Sequence, residues 1–145
     1  GLFNIIGSTG VVTFKTAPDF ENPTDGDANN TYVINVIASD GKNAVNQNVT
    51  ITVTDIDEIK PTVTVTSAST SPHSGAFDIT VTFSESVTGF VIGDLTVANG
   101  TASNFAGSGT TYTATITPSA DGVVTVDVAA GVAQDAASNT NKRSL

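Results

Sequence analysis

The chain has 145 residues, of which 39% are hydrophobic and 13% are charged, and it contains neither cysteine nor tryptophan. Without thiols it can form no disulfide, no thiolate zinc site and no cysteine nucleophile. A net charge of -9 opposes binding to nucleic acid and anionic lipid and favours divalent cations. No apolar run is long enough to span a bilayer and no signal peptide is recognisable, so we expect no direct membrane insertion and expect other parts of a longer parent chain to direct any export.

Alternating apolar residues predict short antiparallel strands in the first part of the chain. Apolar and polar residues alternate from Phe3 to Phe14 around a glycine-rich turn, which predicts a hairpin. The loop of residues 16–30 contains two prolines and four acidic residues and cannot continue a strand. Residues 32–38 and 49–53 resume the alternation and predict two half-buried strands.

Three carboxylates in four residues, Asp55, Asp57 and Glu58, separate two runs rich in valine and threonine. We interpret this stretch as a charged joint between two β-modules. It divides the chain into a partial first module (1–57), an acidic linker (58–61) and a second module (62–145). Neighbouring carboxylates repel by a few kcal/mol at an effective dielectric constant of about 20, so a stiff joint of this kind requires a cation.

Short strands also dominate the sequence after the joint. The clearest strand covers residues 77–83 and is expected to end at Glu85, and turn signals punctuate the rest of the module. Apolar residues recur with period two, which predicts an all-β antiparallel sandwich without a helix of useful length. The tail of residues 139–145 is expected either to add an edge strand or to fray. Further strands are predicted around Val63, Leu95, Phe105, Tyr112 and Val126.

Four segments of the first part occur in a characteristic order: Phe3 with residues 10–12, residues 19–21, residues 32–40 and residues 49–58. In this order and spacing they resemble the C-terminal half of a bacterial cadherin-like repeat. The resemblance implies that the positions of Asp19 and Glu21, together with the acids of the linker, bind calcium between successive repeats. It also implies that Asp40 serves the preceding joint, at the opposite end of the module.

A sandwich of this kind needs about seven strands, and the first part supplies about four. We therefore expect that residues 1–57 do not form a closed independent sandwich. An open half-sandwich exposes its apolar face and its strand edges, which favours pairing with another chain that completes the sheet.

The segments 82–90, 97–100, 109–112 and 135–139 resemble a bacterial Ig-like domain of the kind repeated in large surface proteins. The resemblance implies that the end of the second strand and the loop before the last strand lie near the start of the domain. It therefore implies that Glu85, Asp135 and Asn139 lie close to the joint.

Calcium fits this distribution of acids, because it takes about six to eight oxygen ligands from carboxylates, carbonyls and water. A strand that ends at Thr54 would bring Asp55 and Asp57 beside the loop acids. Residues 25–30 alternate oxygen-bearing side chains around a glycine, as in a short calcium loop, although an Asx-stabilised turn explains them equally. Hydrated acids at strand ends are the alternative for every position. The candidate ligands are Asp19, Glu21, Asp25, Asp27, Asp40, Asp55, Asp57, Glu58, Glu85 and Asp135.

We expect no enzyme activity, because His73 is the only histidine and no serine lies in a nucleophile-elbow pattern. The sequence predicts an extender or stalk segment of an exported bacterial adhesin at the cell surface, with calcium at its joint and neighbouring repeats of the same protein as partners. Two alternatives remain open. One is an adhesive or carbohydrate-binding module of a secreted polysaccharide-degrading enzyme, and the other is homophilic association through the open first module.

Overall fold

The computed structural model describes residues 1–67 and 75–144; His73 lies outside them. The chain divides into two compact units, Gly1–Ile56 and Asp57–Leu145. The regular secondary structure of the described residues consists of β-strands and one 3-10 turn, Ile92–Asp94, which confirms the all-β prediction. Within those residues, no helix is both long and apolar enough to cross a membrane.

The first unit consists of two antiparallel hairpins, each a two-stranded sheet. The hairpin predicted around the glycine-rich turn and the pair of strands predicted after the acidic loop are both present. The strands of the first unit are β1 (Phe3–Ile6), β2 (Val11–Phe14), β3 (Thr31–Ser39) and β4 (Ala44–Thr52).

Three aromatic rings form the centre of the first unit. The ring centroids of Phe3 and Phe14 lie 4.5 Å apart, and Tyr32 meets the two rings edge-on at 5.8 and 5.1 Å. Of the residues of this unit, only Tyr32 and Asn30 are buried, so its core is small. Large apolar side chains stay exposed on its strands, namely Ile5, Ile6, Val11, Val33, Ile37, Val45 and Val49.

The second unit carries a three-stranded antiparallel sheet in the order β5-β6-β8 and a two-stranded sheet of β7 and β9. Its strands are β5 (Val63–Ser67), β6 (Phe77–Val87), β7 (Leu95–Ala98), β8 (Gly100–Pro118) and β9 (Thr125–Val128).

Strand β6 continues to Val87, so the prediction that it ends at Glu85 was wrong. The register with β8 shifts between Thr82 and Val87, where Val87 pairs with Gly109. Such an irregularity lets a strand continue while it turns individual side chains in a new direction. Glu85 therefore lies inside the irregular part of β6.

Strand β8 turns back on itself. Ser103 Oγ donates a hydrogen bond to the carbonyl oxygen of Thr115 at 3.4 Å, although these residues would be about 40 Å apart in a straight strand. The chain reverses between Gly107 and Thr111. The φ of Gly107 is 122°, which favours glycine, and a Cβ atom there would collide with the Thr111 carbonyl oxygen.

The core of the second unit follows from the alternation of apolar residues along these strands. Register places Val63 opposite Phe83 and Val81 opposite Tyr112, so that apolar side chains of three strands share one face. Tyr112 is 5% exposed, and its hydroxyl donates to the Val87 carbonyl at 3.2 Å. The buried apolar residues are Val63, Ile79, Val81, Phe83, Val87, Phe90, Leu95, Tyr112, Ala114, Ile116, Val128 and Ala133.

Hydrogen bonds fix the tail of the second unit to its body. Asn141 is 2% exposed, and its Oδ1 accepts the backbone N–H groups of Val132 and Ala133, each at 2.9 Å. The backbone N–H of Lys142 donates to the Pro61 carbonyl at 2.8 Å. These contacts hold the preceding turn, residues 135–139, next to the start of the unit.

Candidate metal centre

Three carboxylates of the second unit converge on one point. Asp57, Glu85 and Asp135 each bring a carboxylate oxygen within 4.8 Å of the other two. Asp57 opens the unit, Glu85 lies in the irregular part of β6, and Asp135 lies in the loop after β9. Segments far apart in the sequence thus meet at one cluster, which we call the acidic triad.

Asp135 is the buried member of the acidic triad, with 5% of its surface exposed. Its Oδ1 accepts the backbone N–H of Asn139 at 2.9 Å. Its Oδ2 is buried and has no hydrogen-bond partner. A buried polar atom without a partner costs about 1–3 kcal/mol, and more when it is charged. A bound cation would remove that cost, so this oxygen is a candidate metal ligand.

A tight turn presents Asp135 to the triad. The backbone N–H of Asp135 donates to the Asn139 carbonyl at 3.1 Å, and the N–H of Ser138 donates to the Asp135 carbonyl at 3.3 Å. Asn139 Nδ2 donates to the carbonyl oxygen of Asp57 at 2.7 Å. The same turn therefore holds both Asp135 and Asp57.

The electrostatics of the triad are unfavourable without a cation. Partial desolvation raises the pKa of Glu85, and the negative charges of Asp135 and Asp57 raise it further. Among residues 1–67 and 75–144, no lysine or arginine forms an ion pair with the triad, since the ion pair found there joins Arg143 to Asp127. The charge of the triad is thus uncompensated by basic side chains of the described residues.

The residues of the triad fit calcium. Oxygen atoms within 4.8 Å of one another can share one Ca²⁺ ion, because its bonds to oxygen are about 2.3–2.6 Å long and its geometry is flexible. Zinc prefers nitrogen and sulfur ligands, which the triad lacks. Acids of a hydrated surface cluster bond to water, whereas Asp135 Oδ2 is buried without a partner and is available as a ligand atom.

Two further candidate ligands meet in the first unit. Carboxylate oxygens of Glu21 and Asp55 lie within 4.8 Å of each other. Asp19 Oδ1 instead accepts two backbone N–H groups of its own loop, those of Glu21 and the next residue, both at 3.1 Å. Glu58, at the start of the second unit, is exposed. The structure thus pairs Glu21 with Asp55 and uses one oxygen of Asp19 to shape the loop.

The remaining candidates take part in turns. Asp25 Oδ2 accepts the backbone N–H of Asn29 at 2.9 Å, and Asp27 Oδ2 accepts its side-chain amide at 2.7 Å. Asp40 Oδ1 accepts two backbone N–H groups of its own turn at 2.7 and 2.9 Å, and these bonds lower the pKa of Asp40. Within the described residues, none of these three belongs to a cluster of metal-ligating side chains. Asp25 Oδ1 is nevertheless buried without a partner.

Sequence reasoning missed the asparagines that organise these regions. It placed Asn139 near the joint but assigned it no contact, and it did not single out Asn30 or Asn141. Asn30 is 9% exposed, and its side-chain amide donates to the Phe20 carbonyl at 2.9 Å. The available signal was an asparagine next to an acidic loop or turn, because asparagine readily bonds nearby backbone groups.

We expect Glu85→Gln to stabilise the metal-free protein at pH 7. The folded-state pKa of Glu85 lies above its ordinary value of 4.5. The protonated carboxyl therefore stabilises the fold fully below pH 4.5, and this stabilisation is lost as the pH rises through the folded-state pKa. The variant keeps that stability at high pH, and its advantage over the wild type should vanish near pH 3.5, about one unit below the ordinary pKa. Urea unfolding of chelator-treated protein at both pH values measures this.

Asp121→Asn, in an exposed turn, is the control for removing one negative charge. An equal gain in the two variants, or a gain for Glu85→Gln that persists at low pH, would contradict the assigned repulsion.

Comparison with known proteins places the second unit in a family. Residues 57–144 match the family described as a bacterial Ig-like domain, as the sequence had indicated. No curated protein and no solved structure matches the chain. The domain type is non-catalytic and typically extracellular. The family match covers more than half of the sequence, and the chain therefore belongs to the bacterial Ig-like domain family.

Proposed function

We propose that this chain is an extender segment of an exported bacterial surface adhesin, and that Ca²⁺ bound at its acidic joint stiffens it. A bacterial Ig-like domain is consistent with an extracellular surface or adhesin-type module. The observation that carries the calcium proposal is the buried, partnerless Oδ2 of Asp135 within a cluster of three carboxylates.

The acidic triad is the better supported of the two proposed ion sites. Bound Ca²⁺ neutralises the repulsion among Asp57, Glu85 and Asp135 and supplies the missing partner of Asp135 Oδ2. It also links the first residue of the second unit to β6 and to the turn after β9. Sites in extracellular modules have dissociation constants of about 10⁻⁴–10⁻³ M, and the exposed part of the triad suits that range.

Asp55 contributes to the joint from the side of the first unit, where its carboxylate lies within 4.8 Å of that of Glu21. We propose that Glu21 and Asp55 hold calcium as in the cadherin-like repeat that residues 1–57 resemble. A single residue, Ile56, separates Asp55 from Asp57. Cations that hold Asp55 in the first unit and Asp57 in the second leave few backbone torsions free between the units. The joint therefore loses flexibility.

Neighbouring repeats, or a second chain, are the proposed partners of the first unit. Val33, Ile37 and Val45 are 64%, 64% and 73% exposed, an unusual fraction for β-branched residues of a sheet. Added strands would cover such residues and pair the open strand edges.

Sedimentation of the chain at several concentrations tests this completion by a second copy. We expect reversible association, weakened by Ile37→Thr on the exposed face of β3. Thr66→Val, on the outer side of the second unit, is the control and should leave association unchanged. A chain that stays monomeric at every concentration would contradict completion by a second copy.

We expect Asp135→Asn to abolish most of the calcium response of the second unit. The amide has the same size as the carboxylate but removes the charge at the proposed ligand atom. Wild-type protein at a calcium concentration of 100 times the dissociation constant should gain about 2.7 kcal/mol of stability. Calorimetric titration and thermal unfolding, with and without calcium, measure the loss.

The matched control is Asp78→Asn, because Asp78 lies exposed on the outer face of β6 and accepts a hydrogen bond from Thr115 Oγ1 at 2.8 Å. Equal calcium affinities of the two variants would reject the acidic triad as the site. Absence of calcium binding by the wild type would reject the proposed function.

A further inference from the structure

We infer that Asn139 is a positioning residue of the acidic triad, which holds Asp57 against Glu85 and Asp135 so that a Ca²⁺ ion meets preassembled ligands. This inference rests on the proposed function and adds a residue that coordinates no ion itself. Asn139 lies in the tight turn that begins at Asp135.

Asn139 connects two ligands that are distant in the sequence. Its backbone N–H donates to Asp135 Oδ1 at 2.9 Å, and its side-chain Nδ2 donates to the carbonyl oxygen of Asp57 at 2.7 Å. The second bond spans 82 residues. The first bond orients the Asp135 carboxylate so that Oδ2, which has no partner, is the oxygen left for the ion.

In the described part of the chain, the other hydrogen bond of Asp57 is local. Its Oδ1 accepts the backbone N–H of Ile59 at 2.9 Å, a bond within its own short segment. Ile59 is 74% exposed, so apolar packing does not anchor that segment, and the next buried residue is Pro61. Among the residues that the structure describes, the bond from Asn139 is therefore the hydrogen bond that ties Asp57 to the turn of Asp135.

The turn itself does not depend on the Asn139 side chain. Its backbone is closed by the main-chain hydrogen bonds from Asp135 N–H to the Asn139 carbonyl and from Ser138 N–H to the Asp135 carbonyl. Gln134 pairs with Thr88 on one side and with Thr140 on the other. Asn141 fixes the chain that follows. Removal of the side-chain amide should therefore release Asp57 while the turn and the fold persist.

The chemistry requires a donor at this position. The Asp57 carbonyl oxygen can only accept a hydrogen bond, so an amide nitrogen satisfies it and a carboxylate oxygen repels it. Outer-shell groups of this kind typically change metal affinity by about 10–100-fold when they are removed. Asn139→Asp separates positioning from charge, because it adds a negative charge beside the triad while it removes the donor.

Titration of the full chain with CaCl₂ tests the inference in three variants: Asn139→Ala, Asn139→Asp and Asn48→Ala. Asn48 is the matched control, since it is an exposed asparagine of the first unit whose side chain bonds another side chain, that of Asn35, at 2.8 Å. We expect about 10–100-fold weaker binding for both Asn139 variants and an unchanged affinity for the control. Thermal unfolding without calcium should differ little between Asn139→Ala and the wild type.

Terbium luminescence supplies a readout that a purely structural role would not change. With Tb³⁺ in place of Ca²⁺, lifetimes in H₂O and D₂O count the water molecules on the ion. Loss of the Asp57 ligand should add water in Asn139→Ala and Asn139→Asp, but not in Asn48→Ala.

Each outcome is decisive. Tighter calcium binding by Asn139→Asp than by the wild type, or wild-type affinity and hydration in both Asn139 variants, would overturn the positioning role while the site itself stands. A wild-type chain that binds no calcium would instead overturn the proposed function and this inference together.

Discussion

Mutual repulsion among Asp57, Glu85 and Asp135 is the constraint on which the proposed calcium site depends. Their carboxylate oxygens lie within 4.8 Å of one another, and one of those residues is 5% exposed. Desolvation reduces the screening of charge by water, so bringing the three carboxylates together costs free energy. The fold places them there nonetheless, and a bound cation would convert that cost into a stabilising interaction.

The Ig-like core makes this placement possible. Register sets Val63 opposite Phe83, and the backbone N–H of Ser84 donates to the Thr62 carbonyl at 2.9 Å. Thr62 and Val63 are thereby fixed along β6, immediately before Glu85. Because the neighbouring core residues are almost fully buried, Glu85 is carried by a rigid sheet. The tail hydrogen bonds of Asn141 complete the arrangement by fixing the turn of Asp135.

Sequence patterns predicted most of the strands, because half-buried antiparallel strands leave a period-two signal. The Ig-like resemblance also predicted that Glu85 and Asp135 lie near the joint, and the structure places both beside Asp57. The irregularity in β6 escaped prediction, because a local change of register has no distinct composition. The contact between Asn139 and Asp57 escaped as well, since a single bond across 82 residues produces no local pattern.

The loop acids show a different limit of sequence reasoning. Asp19, Asp25 and Asp40 have the composition of calcium ligands, yet each uses carboxylate oxygen to accept backbone N–H groups of its own loop. An aspartate that stabilises a turn and one that binds an ion look alike in a sequence. Clustering separates them: Asp135 Oδ2 and Asp25 Oδ1 are both buried without a partner, but of these two only Asp135 lies beside two further carboxylates within the described residues.

Small-angle X-ray scattering of the whole chain, in calcium and after chelation, tests the central claim most directly. Calcium should narrow the distribution of distances between the two units, and chelation should broaden it. Asp135→Asn should show the broad distribution under both conditions. Identical scattering of the wild type with and without calcium would contradict a calcium-stiffened joint.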